Sequence, residues 1–308
     1  MIEYETMDIC FSKMFQRVID AIEKTDLENI FKTFSEIKEP TITTGVGGSS
    51  IVSKYLANVL REKNHIICED KMPRSLLYED ISSFKNVIAC SYSGNNIGVT
   101  ASFKNDLKKY LFSGNKKDFA IPLQYKVLDE EFSFVSVAGT FAPMAIAFLY
   151  YTDNNVSLLK EILSSTCDFD IKEASDVYEA VYGAENSTAA TMLDSTMTEG
   201  AIASVVLHER YNYCHGRCML NDKLPHDLIL FEDRSELGQL MEKEFNVFYK
   251  RVIKIDRKYE DDIVNDFYQT YMVMLLCKKI AETKSRDFCL KVIPEMSDRL
   301  YLFKGEMK

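Results

Sequence analysis

No segment of this 308-residue chain is apolar for long enough to cross a bilayer, and its first residues, MIEYETMDIC, lack the cationic start and apolar run of a secretory signal. A membrane span and secretion are thereby set aside, and the expected location is the cytoplasm. Basic residues are in deficit: 37 Lys and Arg face 47 Asp and Glu, a net charge of −10, with no Lys/Arg-rich run to offset it. That balance opposes binding to a nucleic-acid backbone. It leaves room for a small anion, because backbone N–H groups at a helix start hold phosphate without a basic surface. Glycine and proline number only 12 and 6 and nowhere gather into a linker, and there is no low-complexity segment.

What is present is ordinary for a globular protein: 46% hydrophobic and 27% charged residues, enough to bury a full core. Two domains of about 150 residues are the natural division at this length. The eight cysteines, Cys10, Cys68, Cys90, Cys167, Cys214, Cys218, Cys277 and Cys289, are scattered as reduced core residues are, not as a disulfide framework. Cys214, His215 and Cys218, with His208 seven positions before His215, offer zinc-type side chains, but their spacing matches no standard finger or ribbon, so no metal is expected.

Apolar positions at helical spacing from Ile9 to Phe34 predict one or two N-terminal helices, closed by Pro40. Strand-like and helix-like stretches then alternate: strands at 41–46, 65–68, 86–91, 119–123 and 132–138, and helices at 49–62 and from Pro143 to Tyr151. A second cycle has a strand at 177–182, a long helix at 188–208, strands at 227–231 and 247–255, and a helix at 261–283. Such alternation predicts an α/β chain of two doubly wound, flavodoxin-like parallel-sheet domains. The expected boundaries are N-terminal helices at 1–39, a first domain at 40–165, a second at 166–290 and a C-terminal tail at 291–308.

The strand TITT runs into Gly45-Val46-Gly47-Gly48-Ser49-Ser50 and a helix, an arrangement that lets backbone approach a phosphate at a helix start. Taken alone, such glycines serve equally well to permit positive φ and close packing. The next strand, NVIAC, ends in Ser91-Tyr92-Ser93-Gly94-Asn95-Asn96 before another helix, so two strand ends present hydroxyls and N–H groups to one crevice. Gly-x-Gly-x-Ser followed about forty residues later by Ser-x-Ser-Gly resembles the pattern of the sugar isomerase (SIS) domain family. By that resemblance Gly47, Gly48, Ser49, Ser91, Tyr92, Ser93 and Asn96 would hold the phosphate of a phosphosugar. Ser136-Val137-Ala138-Gly139-Thr140 resembles the Val-Ala-Ser-Thr stretch that lines the sugar in tandem SIS enzymes, with Val137, Gly139 and Thr140 as matching positions. The family's serine is Gly139 here, which removes one hydroxyl.

Glu199 precedes His215-Gly216 by sixteen positions, a spacing similar to that of the catalytic Glu and ring-opening His of synthase-like SIS domains. Aldose–ketose interconversion needs a base that carries a proton between C1 and C2 and a group that helps open the ring, and a carboxylate and an imidazole suit those tasks. The resemblance thus makes Glu199 the base and His215 the ring-opening acid/base. On residue type alone, Glu199 reads more often as a solvated helix residue and His215 as a loop histidine hydrogen-bonded to backbone. Glu209 is a secondary candidate, Arg217 a possible clamp on a sugar hydroxyl or phosphate, and His208, Tyr211 and Tyr213 are expected to pack or orient the loop. In the tail, Pro294-Glu295-Met296-Ser297-Asp298-Arg299 puts Arg299 where the family's Pro-initiated tail carries Lys. An arginine stays charged and forms no Schiff base, so Arg299 would steady an enolate or the phosphate. The family's Cys-led glutaminase domain has no counterpart upstream of residue 40, so glutamine-dependent amination is not expected. The resemblance implies a phosphosugar isomerase, deaminase or deglycase needing neither metal nor organic cofactor. It also implies a homodimer in which the histidine reaches the neighbouring subunit's site. The alternative is a phosphosugar sensor of the same fold without catalysis.

Overall fold

The computed structural model describes residues 3–127, 129–220 and 227–291. The N-terminal stretch forms α1 (Met7–Lys24) and α2 (Leu27–Glu36). Both start on side-chain caps: Thr6 Oγ1 accepts from the Ile9 N–H and the Asp26 carboxylate from the Asn29 N–H. There follow β1 (Thr41–Thr44), α3 (Gly48–Asn64), β2 (Cys68–Asp70), β3 (Asn86–Cys90), α4 (Ile97–Ser102), β4 (Lys108–Ser113), β5 (Ile121–Gln124), α5 (Ala138–Tyr151) and α6 (Val156–Leu163). The second half gives β6 (Val177–Tyr182), α7 (Ser187–Glu199), β7 (Ser204–Glu209), α8 (Arg210–Cys214), β8 (Asp227–Phe231), α9 (Glu236–Phe248), β9 (Arg251–Ile255) and α10 (Asp262–Thr283). These elements fall into two compact units: residues up to Leu159 together with the segment that begins at Cys289, and Lys160–Phe288. Among the described residues no helix is long and apolar enough to cross a membrane.

In the first unit the strands pair in parallel in the order β2-β1-β3-β4-β5, the doubly wound sequence. Every residue of β1 and β3 is buried, as a sheet covered on both faces requires. The most apolar cover is α5, whose Phe141, Met144, Ile146, Phe148 and Leu149 are wholly inaccessible and which packs against α1 and α3. The expected strand at 132–138 is absent. The N–H groups of Val137 and Gly139 are taken by the Glu131 carboxylate and that of Phe134 by the Cys289 carbonyl, so the segment runs as loop into α5.

An ion cluster anchors α1 in this unit. The buried Arg17 guanidinium donates two hydrogen bonds to Glu5, at 2.7 and 2.8 Å, and one to Asp129 at 2.9 Å. Arg17 thereby holds both carboxyls below their usual range. A carboxyl whose folded pKa is depressed stabilises the fold above its unfolded pKa and loses that contribution as pH falls through the folded value. The urea midpoint of the wild type should therefore fall more steeply below about pH 4 than that of Arg17→Met. Parallel pH profiles of the two would remove the cluster from the account.

The second unit is a parallel sheet in the order β7-β6-β8-β9. Its helix α7 buries Ala189, Met192, Leu193 and Met197 and packs on α10. Its first turn is held by the buried Asp266 carboxylate, which accepts from the Ala189 N–H at 3.1 Å. The helix expected over 188–208 stops at Glu199. Gly200 closes the last turn onto Thr196, Ala201 takes a left-handed φ of 49°, and Ser204–Glu209 then pairs alongside β6 as β7. Likewise the strand expected from Val247 begins only at Arg251, because Val247 and Phe248 complete α9.

Candidate functional site

The first unit places its glycine-rich turn at the carboxyl end of β1, beside the carboxyl end of β3, where the strand order reverses and open α/β sheets leave a crevice. Gly45 has no room for a side chain: a Cβ would stand 2.2 Å from the Ser49 carbonyl oxygen. Gly47, at φ 59°, turns the chain into α3 and gives it a start that no side chain caps. The Ser49 and Ser50 N–H groups reach the Val46 and Gly47 carbonyls at 3.2 and 2.8 Å, so the positive end of that 17-residue helix meets backbone carbonyls and no side chain. Gly48 and Ser49 form its first turn and are half-buried.

The turn after β3 is organised by its own hydroxyls. Ser91 Oγ, nearly inaccessible, accepts from the Gly94 N–H at 3.1 Å and from Asn96 Nδ2 at 3.4 Å. Ser93 Oγ accepts from the Asn95 N–H at 3.2 Å. Asn96 Oδ1 caps α4 by accepting from the Val99 N–H at 2.8 Å. Because both serines serve the turn as acceptors, each keeps its own O–H proton to donate, which suits an anionic ligand. Tyr92 donates to Glu130 at 3.2 Å, and burial with that neighbouring charge pushes its phenol up, so it stays a neutral donor.

A third segment closes on these two. The start of α5 borders the start of α3, since a Cβ on Gly48 would lie 3.0 Å from Thr140 Oγ1. The start of α4 meets the glycine turn, since a Cβ on Gly98 would lie 2.6 Å from Val46 Cγ2 and 3.2 Å from Asn96 Oδ1. The sequence positions Gly47 to Ser49, Ser91 to Asn96 and Val137 to Thr140 are therefore gathered at the carboxyl end of the inner strands β1 and β3. Glu131 was not apparent from the sequence. Its carboxylate accepts from Val137 N–H at 2.7 Å, Gly139 N–H at 2.9 Å and Ser133 Oγ at 2.6 Å, supplying α5 with an anion of its own. A carboxylate shortly before a helix start is a recognisable signal, hidden here because 132–138 reads as a strand.

In the second unit Glu199 ends α7 and accepts from Ser195 Oγ at 3.1 Å. Burial, with Asp194 nearby, raises its pKa. More than a third of the residue is open to solvent, so the rise is a lean toward the protonated form, smaller than an interior carboxylate would show. His215 caps the carboxyl end of α8 and is exposed, as is Arg217 in the turn that follows. Glu199 and His215 form no hydrogen bond or ion pair with each other among the described residues. Glu209 caps α8, accepting from the N–H groups of Tyr211 and Asn212. His208 lies 3.7 Å from the buried Glu179, its ring beside the buried Tyr213, and burial lowers its pKa despite that carboxylate. Tyr211 is 73% exposed and so does not pack in the core, whereas Tyr213 is buried. Among the described residues no three His, Cys, Asp or Glu side chains are placed to hold a metal ion. Arg299 and its tail lie outside the described residues.

The C-terminal domain of glucosamine-fructose-6-phosphate aminotransferase from Francisella tularensis matches this architecture with a TM-score of 0.67 at 12% identity, over 90% of this chain and 95% of that one. The chain has the sugar isomerase (SIS) fold. Glucosamine-6-phosphate deaminase from Thermotoga maritima matches the same fold with a TM-score of 0.67 at 14% identity, over 90% of this chain and 96% of that one. Tagatose-6-phosphate ketose/aldose isomerase from Escherichia coli does so with a TM-score of 0.67 at 16% identity, over 92% and 94%. No family model and no curated protein matches the sequence, so the SIS fold is what these structures have in common with it.

Proposed function

We propose that this SIS-fold chain is a phosphosugar enzyme of the isomerase type, with SIS domains at 40–165 and 166–290 behind the N-terminal helices. The observation that carries the reading is the crevice of the first unit: a helix start without a side-chain cap beside Ser91 and Ser93, whose hydroxyls serve the turn only as acceptors. The ligand is a sugar or amino-sugar phosphate, its phosphate on Gly47 to Ser49 and Ser91 to Asn96 and its sugar against Val137 to Thr140. The matching folds of a deaminase, an aminotransferase domain and a ketose/aldose isomerase, each named for a sugar phosphate, support that class.

In this reading Glu199 takes the proton from the carbon next to the carbonyl and returns it to the neighbouring carbon through an enediolate or enolamine. Its raised pKa brings it closer to neutral pH, where a base that must also give the proton back works best. His215 opens the ring, in a homodimer from the neighbouring subunit, and Arg299 steadies the developing charge. Isomerisation, deamination and deglycation share this proton transfer, and none of them needs a metal or organic cofactor. The protein acts in the cytoplasm.

A thermal-shift panel of fructose 6-phosphate, glucosamine 6-phosphate and tagatose 6-phosphate tests the ligand class. A ligand at a hundred times its dissociation constant stabilises the fold by about 2.7 kcal/mol, and Ser91→Ala/Ser93→Ala should abolish the shift. No shift from any phosphosugar, or the same shift from the unphosphorylated sugars, would sink the assignment. The loss of the family's serine at Gly139 favours the rival, a sensor of the same ligand, which would shift equally yet promote no hydrogen-for-deuterium exchange at the carbon next to the carbonyl, C1 of a ketose or C2 of an aldose.

A further inference from the structure

We infer that the Ser136 hydroxyl contacts the sugar of the proposed ligand, in place of a side chain at position 139. The inference rests on the phosphosugar reading above and adds a residue to that same site. Ser136 Oγ lies 2.4 Å from where a Cβ on Gly139 would be, so this hydroxyl already fills the space into which residue 139 would otherwise project. Its residue adjoins the Gly48 turn through the backbone, because the Ser136 carbonyl accepts from Thr140 Oγ1, the atom that borders that turn. Ser136 is half-buried, and its hydroxyl makes no hydrogen bond among the described residues. A half-buried hydroxyl has both a proton and lone pairs to give to a ligand.

Charge decides which end of the ligand meets it. The start of α5 is already occupied by the Glu131 carboxylate, whose Oε2 is 3.9 Å from the same Gly139 Cβ position, whereas no side chain caps the start of α3. A phosphate placed against α5 would face that carboxylate, so the phosphate goes to α3 and the uncharged, hydroxyl-bearing end of the sugar goes to Ser136. Gly139 is then needed to leave Ser136 its place.

The test compares affinities for the phosphosugar that gives the largest thermal shift with those for inorganic phosphate. Ser136→Ala should weaken the phosphosugar about tenfold, the loss of one neutral hydrogen bond, and leave inorganic phosphate unchanged. Gly139→Ala should do the same by turning the hydroxyl away, with no additional loss in the double variant. Ser136→Ala/Gly139→Ser moves the hydroxyl one turn on and should restore the affinity to within about twofold of the wild type. A wild type that binds a phosphosugar no more tightly than Ser136→Ala does, or a hydroxyl-swapped variant as weak as Ser136→Ala, overturns the inference and leaves the phosphosugar reading intact. A wild type that binds no phosphosugar overturns both.

Discussion

Glu199→Gln is expected to slow hydrogen-for-deuterium exchange at the carbon next to the carbonyl of a bound phosphosugar, C1 of a ketose or C2 of an aldose, about 1,000-fold while leaving its affinity within about twofold. The size follows from what a positioned base contributes to proton transfer. The selectivity follows from the structure: glutamine has the same shape and keeps an oxygen for the Ser195 hydroxyl, so α7 and its packing on α10 are undisturbed. Only the lone pair that takes the carbon-bound proton is lost. The pH profile gives an independent reading. Burial holds the Glu199 pKa above the ordinary carboxylate value. Exchange in the wild type should therefore rise as pH climbs through that raised value and the base ionises, and this acid limb should vanish from the residual rate of the variant. Equal losses of affinity and exchange would make Glu199 a binding residue. Unchanged exchange would place the base elsewhere.

Much of this was legible in the sequence for identifiable reasons. The strands β1, β3, β6 and β8 are short stretches of mostly β-branched, aromatic and aliphatic residues, and α10 is a long helix opened by a capping aspartate, Asp261. The two crevice turns were visible because two glycine- and serine-rich turns end successive strands about forty residues apart, a combination more specific than either turn alone. What escaped were elements whose local pattern is overruled by their surroundings. β4 begins with two lysines and ends in Ser113, so its apolar signal is only the three residues Tyr110 to Phe112. β7 is an edge strand with a half-exposed pattern, and its register was absorbed into a helix that tertiary packing ends at Gly200. Ser204-Val205-Val206, with two β-branched residues in succession, was the available sign. The role of Glu131 is local, accepting from the N–H groups of Val137 and Gly139 at the start of the next helix, and it escaped because 132–138 reads as a strand.

The other large effect should come from the smallest change, Gly45→Ala. A methyl group there would stand 2.2 Å from the Ser49 carbonyl oxygen, 2.5 Å from its carbon and 2.9 Å from the Ser50 nitrogen. All three are backbone atoms of the first turn of α3, so relief cannot come from rotating a side chain and the turn itself must open. Overpacking of this kind costs about 1–3 kcal/mol, which would appear as a lower urea midpoint with an unchanged slope. The functional loss should exceed the structural one, because opening the turn displaces the helix start from Ser91 and Ser93: affinity for phosphosugar and for inorganic phosphate alike should fall at least about 100-fold, a price of roughly 2.7 kcal/mol. Gly216→Ala provides the contrast. A Cβ at Gly216 meets nothing within 4 Å, so stability should stay within about 0.5 kcal/mol of the wild type, although Gly216 adjoins the proposed ring-opening histidine. If Gly45→Ala bound phosphosugar normally, the anion would have to be held by the Ser91 to Asn96 turn alone, and α3 would lose its part in the site.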